Sequence, residues 1–194
     1  MYEKTGAVGF HEVIVETPDH RKDLSDLQPE EIAGVLRIYR ERMLAHRQDS
    51  RIQSVIVFKN VGWRAGATLA HSHSQLVALP FVPRKLSDEL EGARSYFEAH
   101  GECIYCDILR QERASDERSV FENDAFLVFS PFWSRFPFEC WVIPKEHTSD
   151  FGRIGEKEIP LLALAFKVLL SRLREVLRNP SYNLLIHTAP PGPD

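Results

Sequence analysis

The sequence predicts an α+β chain built from two related units, each an antiparallel sheet with a helix packed across it. Short alternating, β-branched runs are separated by long helical patterns, and the order strand, helix, strand occurs twice. The two occurrences are also evenly spaced. The 40 residues from His20 to Asn60 equal the 40 from His147 to His187, an offset of 127 throughout. One offset shared by two strands and a helix reads as an internal duplication. Applied to His71, it points to position 198, beyond Asp194, so the second unit is expected to be incomplete and to lack its last strand. That gap predicts an open sheet edge.

Each element has its own local reason. Residues 10–16 alternate and end at Pro18, which cannot continue a ladder. Residues 25–28 offer a capping signal, Pro29 suits a first helical turn, and Ile32, Val35, Leu36, Tyr39 and Met43 recur at helical spacing. Residues 54–60 read as a second strand, 62–66 as a Gly-rich loop, and 73–79 as a third strand stopped by Pro80 and Pro83. Residues 85–98 look helical, and 101–116 look like a cysteine-bearing connector. The first pattern then returns, with 138–147 as a strand, 157–178 as a helix with Leu161, Leu162, Ala165, Val168, Leu169, Leu173 and Leu177 on one face, and 182–187 as a strand. The domain boundary falls near residue 98, giving units 1–98 and 99–194.

Composition excludes several function classes. With 24 Lys and Arg against 28 Asp and Glu, the net charge of -4 argues against a broad nucleic-acid surface, while leaving room for a pocket that holds one nucleotide. No apolar run is long enough to span a membrane, and Met1-Tyr2-Glu3-Lys4 is too polar for a signal peptide. Three cysteines make no disulfide framework and fit a reducing, cytoplasmic setting. Eight histidines are the unusual count.

Their placement carries the chemistry. In Ala70-His71-Ser72-His73-Ser74-Gln75, residues two apart share a strand face, so His71, His73 and Gln75 are expected to line up beyond the Gly-rich loop. Polar groups so placed, next to the apolar Leu76-Val77-Ala78-Leu79, are costly to bury unless they work. Cys103-Ile104-Tyr105-Cys106 is half a zinc site or a redox dithiol. A dithiol of the thioredoxin kind belongs between a strand and a helix of a βαβ unit, which a connector does not supply. His147, at a strand end, is the natural third ligand, and His20 holds the equivalent place in the first unit. Cys140, inside a strand, reads as core.

These residues resemble a known family. Phe58-Lys59-Asn60-Val61-Gly62 and Gly66-Ala67-Thr68-Leu69-Ala70-His71-Ser72-His73-Ser74-Gln75 are similar to the galactose-1-phosphate uridylyltransferases, the transferase branch of the histidine-triad superfamily, and the likeness extends over residues 11–190. The resemblance implies two histidine-triad-like units and a ping-pong transfer of UMP between a nucleotide sugar and a hexose 1-phosphate, in galactose metabolism, through a covalent nucleotidyl-histidine. It implies His73 as the nucleophile, with Gln75 where the hydrolases of the superfamily carry a third histidine. Asn60, Gly66 and Thr68, with Gln75, fall where substrate is held. His20 and His71 match two ligands of a structural metal whose partner cysteines lie upstream in the family. Cys103, Cys106 and His147 match a second zinc site whose fourth ligand would lie past residue 194. Zinc is the implied cofactor and a homodimer the implied assembly. The apolar and aromatic run 126–141 offers a contact surface, although most of it reads as core, and composition gives no nucleic-acid or membrane partner. Two departures bear on this. Ser72 and Ser74 replace the proline and glycine of the common His-Pro-His-Gly-Gln, a version also similar to plant-type ADP-sugar phosphorylases or adenylyltransferases, which move AMP. The chain also reads as truncated at both ends, which leaves an inactive zinc-stabilised fragment as the remaining alternative.

Overall fold

A computed structural model describes Gly6 and residues 8–190 of the chain. Its element order is β1 (Phe10–Val15), α1 (Pro29–His46), β2 (Ser54–Val61), β3 (His73–Leu79), α2 (Arg84–His100), α3 (Ile104–Ser115), β4 (Ser119–Glu122), β5 (Phe126–Phe129), β6 (Trp141–Pro144), α4 (Glu158–Leu177) and β7 (Tyr182–Ile186). Among the described residues, four α-helices accompany two antiparallel sheets, ordered β1-β3-β2-β7 and β4-β5-β6. The fold is therefore α+β, as the sequence predicts.

The core forms where alternation demands it. Ile14 of β1, Val55 and Val57 of β2, and Leu76 and Ala78 of β3 point to one side of the first sheet. They meet Ile32, Val35, Leu36, Tyr39 and Met43 of α1, at the spacing of one helical face, and Ile159, Leu162, Phe166 and Leu169 of α4. α1 begins as its sequence indicates: the Gln28 backbone N–H donates to the Glu31 carboxylate at 2.8 Å, satisfying one of the unpaired donors of the first turn. Among the described residues no α-helix packs on the other side of this sheet, where Val13 and Val15 are exposed.

β7 lies far from the first sheet in sequence but pairs with β2, placing Asn183 opposite Asn60 and Leu185 opposite Phe58. The two halves of the chain thus share one sheet. Its outer strands are β1 and β7, and those of the second sheet are β4 and β6.

Two expectations are corrected. The cysteine-bearing connector is a 12-residue helix, α3, whose Leu109 packs with Leu127 and Phe129 of β5 in a second small core. The strand expected over 138–147 is confined to Trp141–Pro144, because Phe138 follows Pro137 with φ +62°, a turn conformation closed to a strand. The run 126–141 divides between core and surface, its first strand being core as expected. Phe126, Leu127, Val128 and Phe129 are wholly buried, Phe126 and Val128 in the main core and Leu127 and Phe129 in the small one, whereas Phe132, Phe136 and Phe138 are exposed. Cys140 sits just before β6, half-buried against the core.

Candidate active site and metal ligands

β3 carries the central residues. Pairing places Val15 opposite His73, and Val13 and Phe58 both opposite Gln75, so His73 and Gln75 emerge on the helix-free side of the sheet between flanking apolar side chains. His73 Nδ1 lies 2.8 Å from the His71 carbonyl. A carbonyl can only accept, so Nδ1 is the protonated nitrogen and a neutral ring carries its lone pair on Nε2. His73 is buried, and its tautomer is set by the backbone just before its own strand.

Gln75 Oε1 meets His11 Nε2 at 2.9 Å. With the imidazole donating there, the Gln75 NH2 group is left to donate elsewhere. His11, on β1, has no signal in the sequence beyond its place in an alternating strand.

His71 departs from the expected line. β3 starts at His73, and the His71 ring makes its contacts with Thr17 and His20. Its Nε2 lies 2.6 Å from the Thr17 carbonyl, which makes Nε2 the donor and leaves Nδ1 unprotonated on a neutral ring. That Nδ1 faces His20 Nδ1 at 2.7 Å, with the rings edge to face. Two imidazole nitrogens so close are held together by a shared proton or by a common cation, and the structure brings His20 and His71 together.

Asn60, near the end of β2, leads into a loop fixed by two glycines. Gly62 has φ +79°, and a Cβ there would stand 2.2 Å from the Ser181 Oγ. Gly66 has φ +85° and closes a single turn of 3-10 helix over Trp63–Ala65. The N–H groups of Ala65 and Ala67 donate to the Gly62 carbonyl, and that of Gly66 donates to the Trp63 carbonyl. The loop therefore spends three of its backbone N–H groups on itself. Side chains remain: the Asn60 amide, the Gln75 amide and the Thr68 hydroxyl, which is exposed.

Behind β3 lies a buried polar cluster with no counterpart in the sequence reading. Lys59 occupies the core-facing position after Val55 and Val57, with a side chain 2% exposed, and pairs at 2.6 Å with Glu16, whose side chain is 0% exposed. Its ammonium also donates to the Ser72 hydroxyl at 3.0 Å and to the His73 carbonyl at 3.1 Å. Glu16 accepts from Ser72 Oγ at 2.6 Å, from Tyr39 OH at 3.0 Å and from Ser74 Oγ. Burial, and then the Glu16 charge, hold the Tyr39 phenol well above its ordinary range, so it stays a donor. Every charge here is met by a partner, which a buried ion needs. The two serines that depart from the proline and glycine of the common motif are both used in this cluster.

Cys103, Cys106 and His147 converge: their ligand atoms all lie within 4.8 Å of one another, and Cys106 Sγ stands 3.2 Å from His147 Nδ1. Cys103 is the N-cap residue of α3 and Cys106 lies in its first turn, while His147 follows β6. Burial, reinforced by the neighbouring Cys103, pushes the Cys106 thiol up, a penalty that a bound cation would relieve. Two sulfurs and one imidazole nitrogen form a set suited to zinc. His187 stands apart from them and contacts Glu89 of α2 through Nδ1 at 3.0 Å.

Residues 1–83 match the family described as Galactose-1-phosphate uridyl transferase, N-terminal domain, and residues 89–194 match its C-terminal domain counterpart. An ADP-glucose phosphorylase of Arabidopsis thaliana is 40% identical over 94% of this chain and 50% of its own. A galactose-1-phosphate uridylyltransferase of Thermotoga maritima is 30% identical over 88% of this chain and 53% of its own. Among solved structures, an Arabidopsis thaliana ADP-glucose phosphorylase with bound ADP-glucose superposes with TM-score 0.87 at 38% identity, over 94% of this chain and 57% of that one. A uridylyltransferase does so with TM-score 0.90 at 34% identity, over 95% and 59%. The chain spans about half the length of the curated relatives it matches. With matches that cover both of its halves, the chain belongs to the galactose-1-phosphate uridyl transferase family.

Proposed function

We propose that the chain carries the catalytic half of a hexose-1-phosphate nucleotidyltransferase that works through a covalent nucleotidyl-histidine on His73. One observation supports this above the rest: the His71 carbonyl holds the His73 Nδ1–H, so the lone pair of Nε2 is available on the helix-free side of the sheet. In the first half-reaction Nε2 attacks the α-phosphorus of a nucleotide sugar. A P–N bond forms, the P–O bond to the sugar 1-phosphate breaks, and its electron pair leaves with that phosphate. The ring becomes cationic, and the carbonyl at Nδ1 steadies it. A phosphate acceptor then attacks the same phosphorus and the electrons of the P–N bond return to Nε2.

No general acid is needed. A phosphate monoester has a second pKa of about 6 and departs without a proton. Gln75 suits this role because its amide hydrogen-bonds phosphoryl oxygens but cannot transfer a proton at neutral pH. The Asn60 amide and the Thr68 hydroxyl complete the donors for developing charge, with Gly66 allowing close approach. Cys103, Cys106 and His147 would hold one zinc ion, and His20 and His71 would supply two ligands to another. Zinc there would tie α3 to β6, and the segment after β1 to the start of β3. A homodimer is the assembly this reading carries with it.

UMP is the group moved in the uridylyltransferase reading. Transfer of AMP is the second reading, favoured by the 40% identity to an ADP-glucose phosphorylase and by the serines beside His73. Incubation with UDP-glucose or ADP-glucose labelled at the α-phosphorus separates them. An acid-labile label on the wild type, absent from His73→Ala, is expected from one donor and names the base. No label from either donor would overturn the proposal and leave a zinc-stabilised module without turnover.

A further inference from the structure

Asn183 reaches the site from β7, in the second half of the chain. Its Nδ2 lies 2.7 Å from Asn60 Oδ1 and 2.9 Å from the Ala65 carbonyl. The carbonyl can only accept, so the Asn183 atom facing it must be the amide nitrogen. That same nitrogen faces Asn60, so the Asn60 atom it meets must be the oxygen. Asn60 is left with its NH2 group pointing away, 3.8 Å from where a Cβ on Gly66 would stand. The polarity of three groups on two strands and a loop is thereby fixed from one backbone carbonyl.

The geometry points to Asn183 as a positioning residue that sets the polarity of the site at Asn60. Asn60 presents donors only, and the ligand group it takes is an acceptor, such as a phosphoryl oxygen. This rests on the nucleotidyl-transfer reading for the identity of the ligand, but the polarity itself belongs to the free protein. It also gives β7 a role beyond pairing, since the first half of the chain cannot orient Asn60 without it.

Asn183→Asp inverts the arrangement. A carboxylate beside Asn60 draws the Asn60 NH2 toward itself and turns Oδ1 to the ligand, whereas Asn183→Ala only releases the restraint. Two measurements decide the matter. In the ligand-free protein, nuclear Overhauser contacts should link the Asn60 side-chain NH2 to the Gly66 α-protons in the wild type and vanish in Asn183→Asp. An NH2 that already faces residue 183 in the wild type would overturn the inference. In calorimetric titration with UDP-glucose and ADP-glucose, Asn183→Asp should weaken binding about tenfold, the effect of losing a hydrogen bond to a charged group. Asn183→Ala should weaken it less. Both effects should disappear in an Asn60→Ala background. A tenfold loss that persists there would be plain repulsion of an anion by the new carboxylate and would refute the positioning role. Failure of the wild type to bind any nucleotide sugar would refute the transferase reading instead, with the Overhauser contacts still deciding the polarity.

Discussion

Single residues set the chemistry through partners that are easy to name. Lys59 is the clearest case, an ammonium at a core position with Glu16 and the His73 carbonyl as acceptors. Replacing it by methionine leaves the Glu16 carboxylate buried without its counter-charge. The expected cost is about 3–5 kcal/mol in denaturant unfolding. The double variant Glu16→Gln, Lys59→Met should recover part of that loss, because no unpaired charge remains. Glu12, on β1, offers a pH test. Hydrogen bonds from Arg42 first, and from His46 next, outweigh its partial burial and lower its carboxyl from the ordinary 4.5 to about 2. A folded pKa below the unfolded one adds stability that is complete above pH 4.5 and lost as pH falls toward 2. Glu12→Gln should therefore be less stable than wild type at neutral pH, and the difference should shrink between those limits in acid melts.

At the scale of elements, the loop between β2 and β3 is held by its glycines and by the approach of β7. Gly62→Ala meets two obstacles, a positive φ and the Ser181 hydroxyl at 2.2 Å. Strain of this kind costs about 1–3 kcal/mol. The melting temperature should fall, and Ser181→Gly in the same chain should restore the share due to the clash but not the share due to φ. How legible these elements were depends on what each one buries. β3 shows in the sequence over its whole length because its two faces meet different surroundings, and α1 because Pro29 and its apolar spacing agree. β5 carries no alternation, since Phe126 and Val128 enter one core and Leu127 and Phe129 another. α3 was masked by its cysteines, which suggested a metal loop, although Ile104, Ile108 and Leu109 already have helical spacing. His73, Gln75, Asn60, Cys103 and Cys106, the residues of the proposed chemistry, are legible because they sit in short local motifs. His11, Glu16, Lys59 and Asn183 are not, because a lone polar residue in a strand does not reveal what lies on the neighbouring strand.

For the whole molecule, the pairing of β2 with β7 is the organising contact. It joins two stretches more than a hundred residues apart into one sheet, with α1 and α4 behind it and the residues of the proposed chemistry in front. The fold thus separates its tasks. The helix side supplies burial and the Glu16–Lys59 cluster under β3, and the free side presents His73, Gln75 and Asn60. The central claim is that His73 forms a covalent bond to a nucleotide. Intact-mass spectrometry after exposure to UDP-glucose, and separately to ADP-glucose, tests it most directly. One nucleoside monophosphate added per chain, mapped to His73 and removed by hexose 1-phosphate or inorganic phosphate, is the predicted result. An unmodified chain with both donors, or an adduct that survives in His73→Ala, would contradict it.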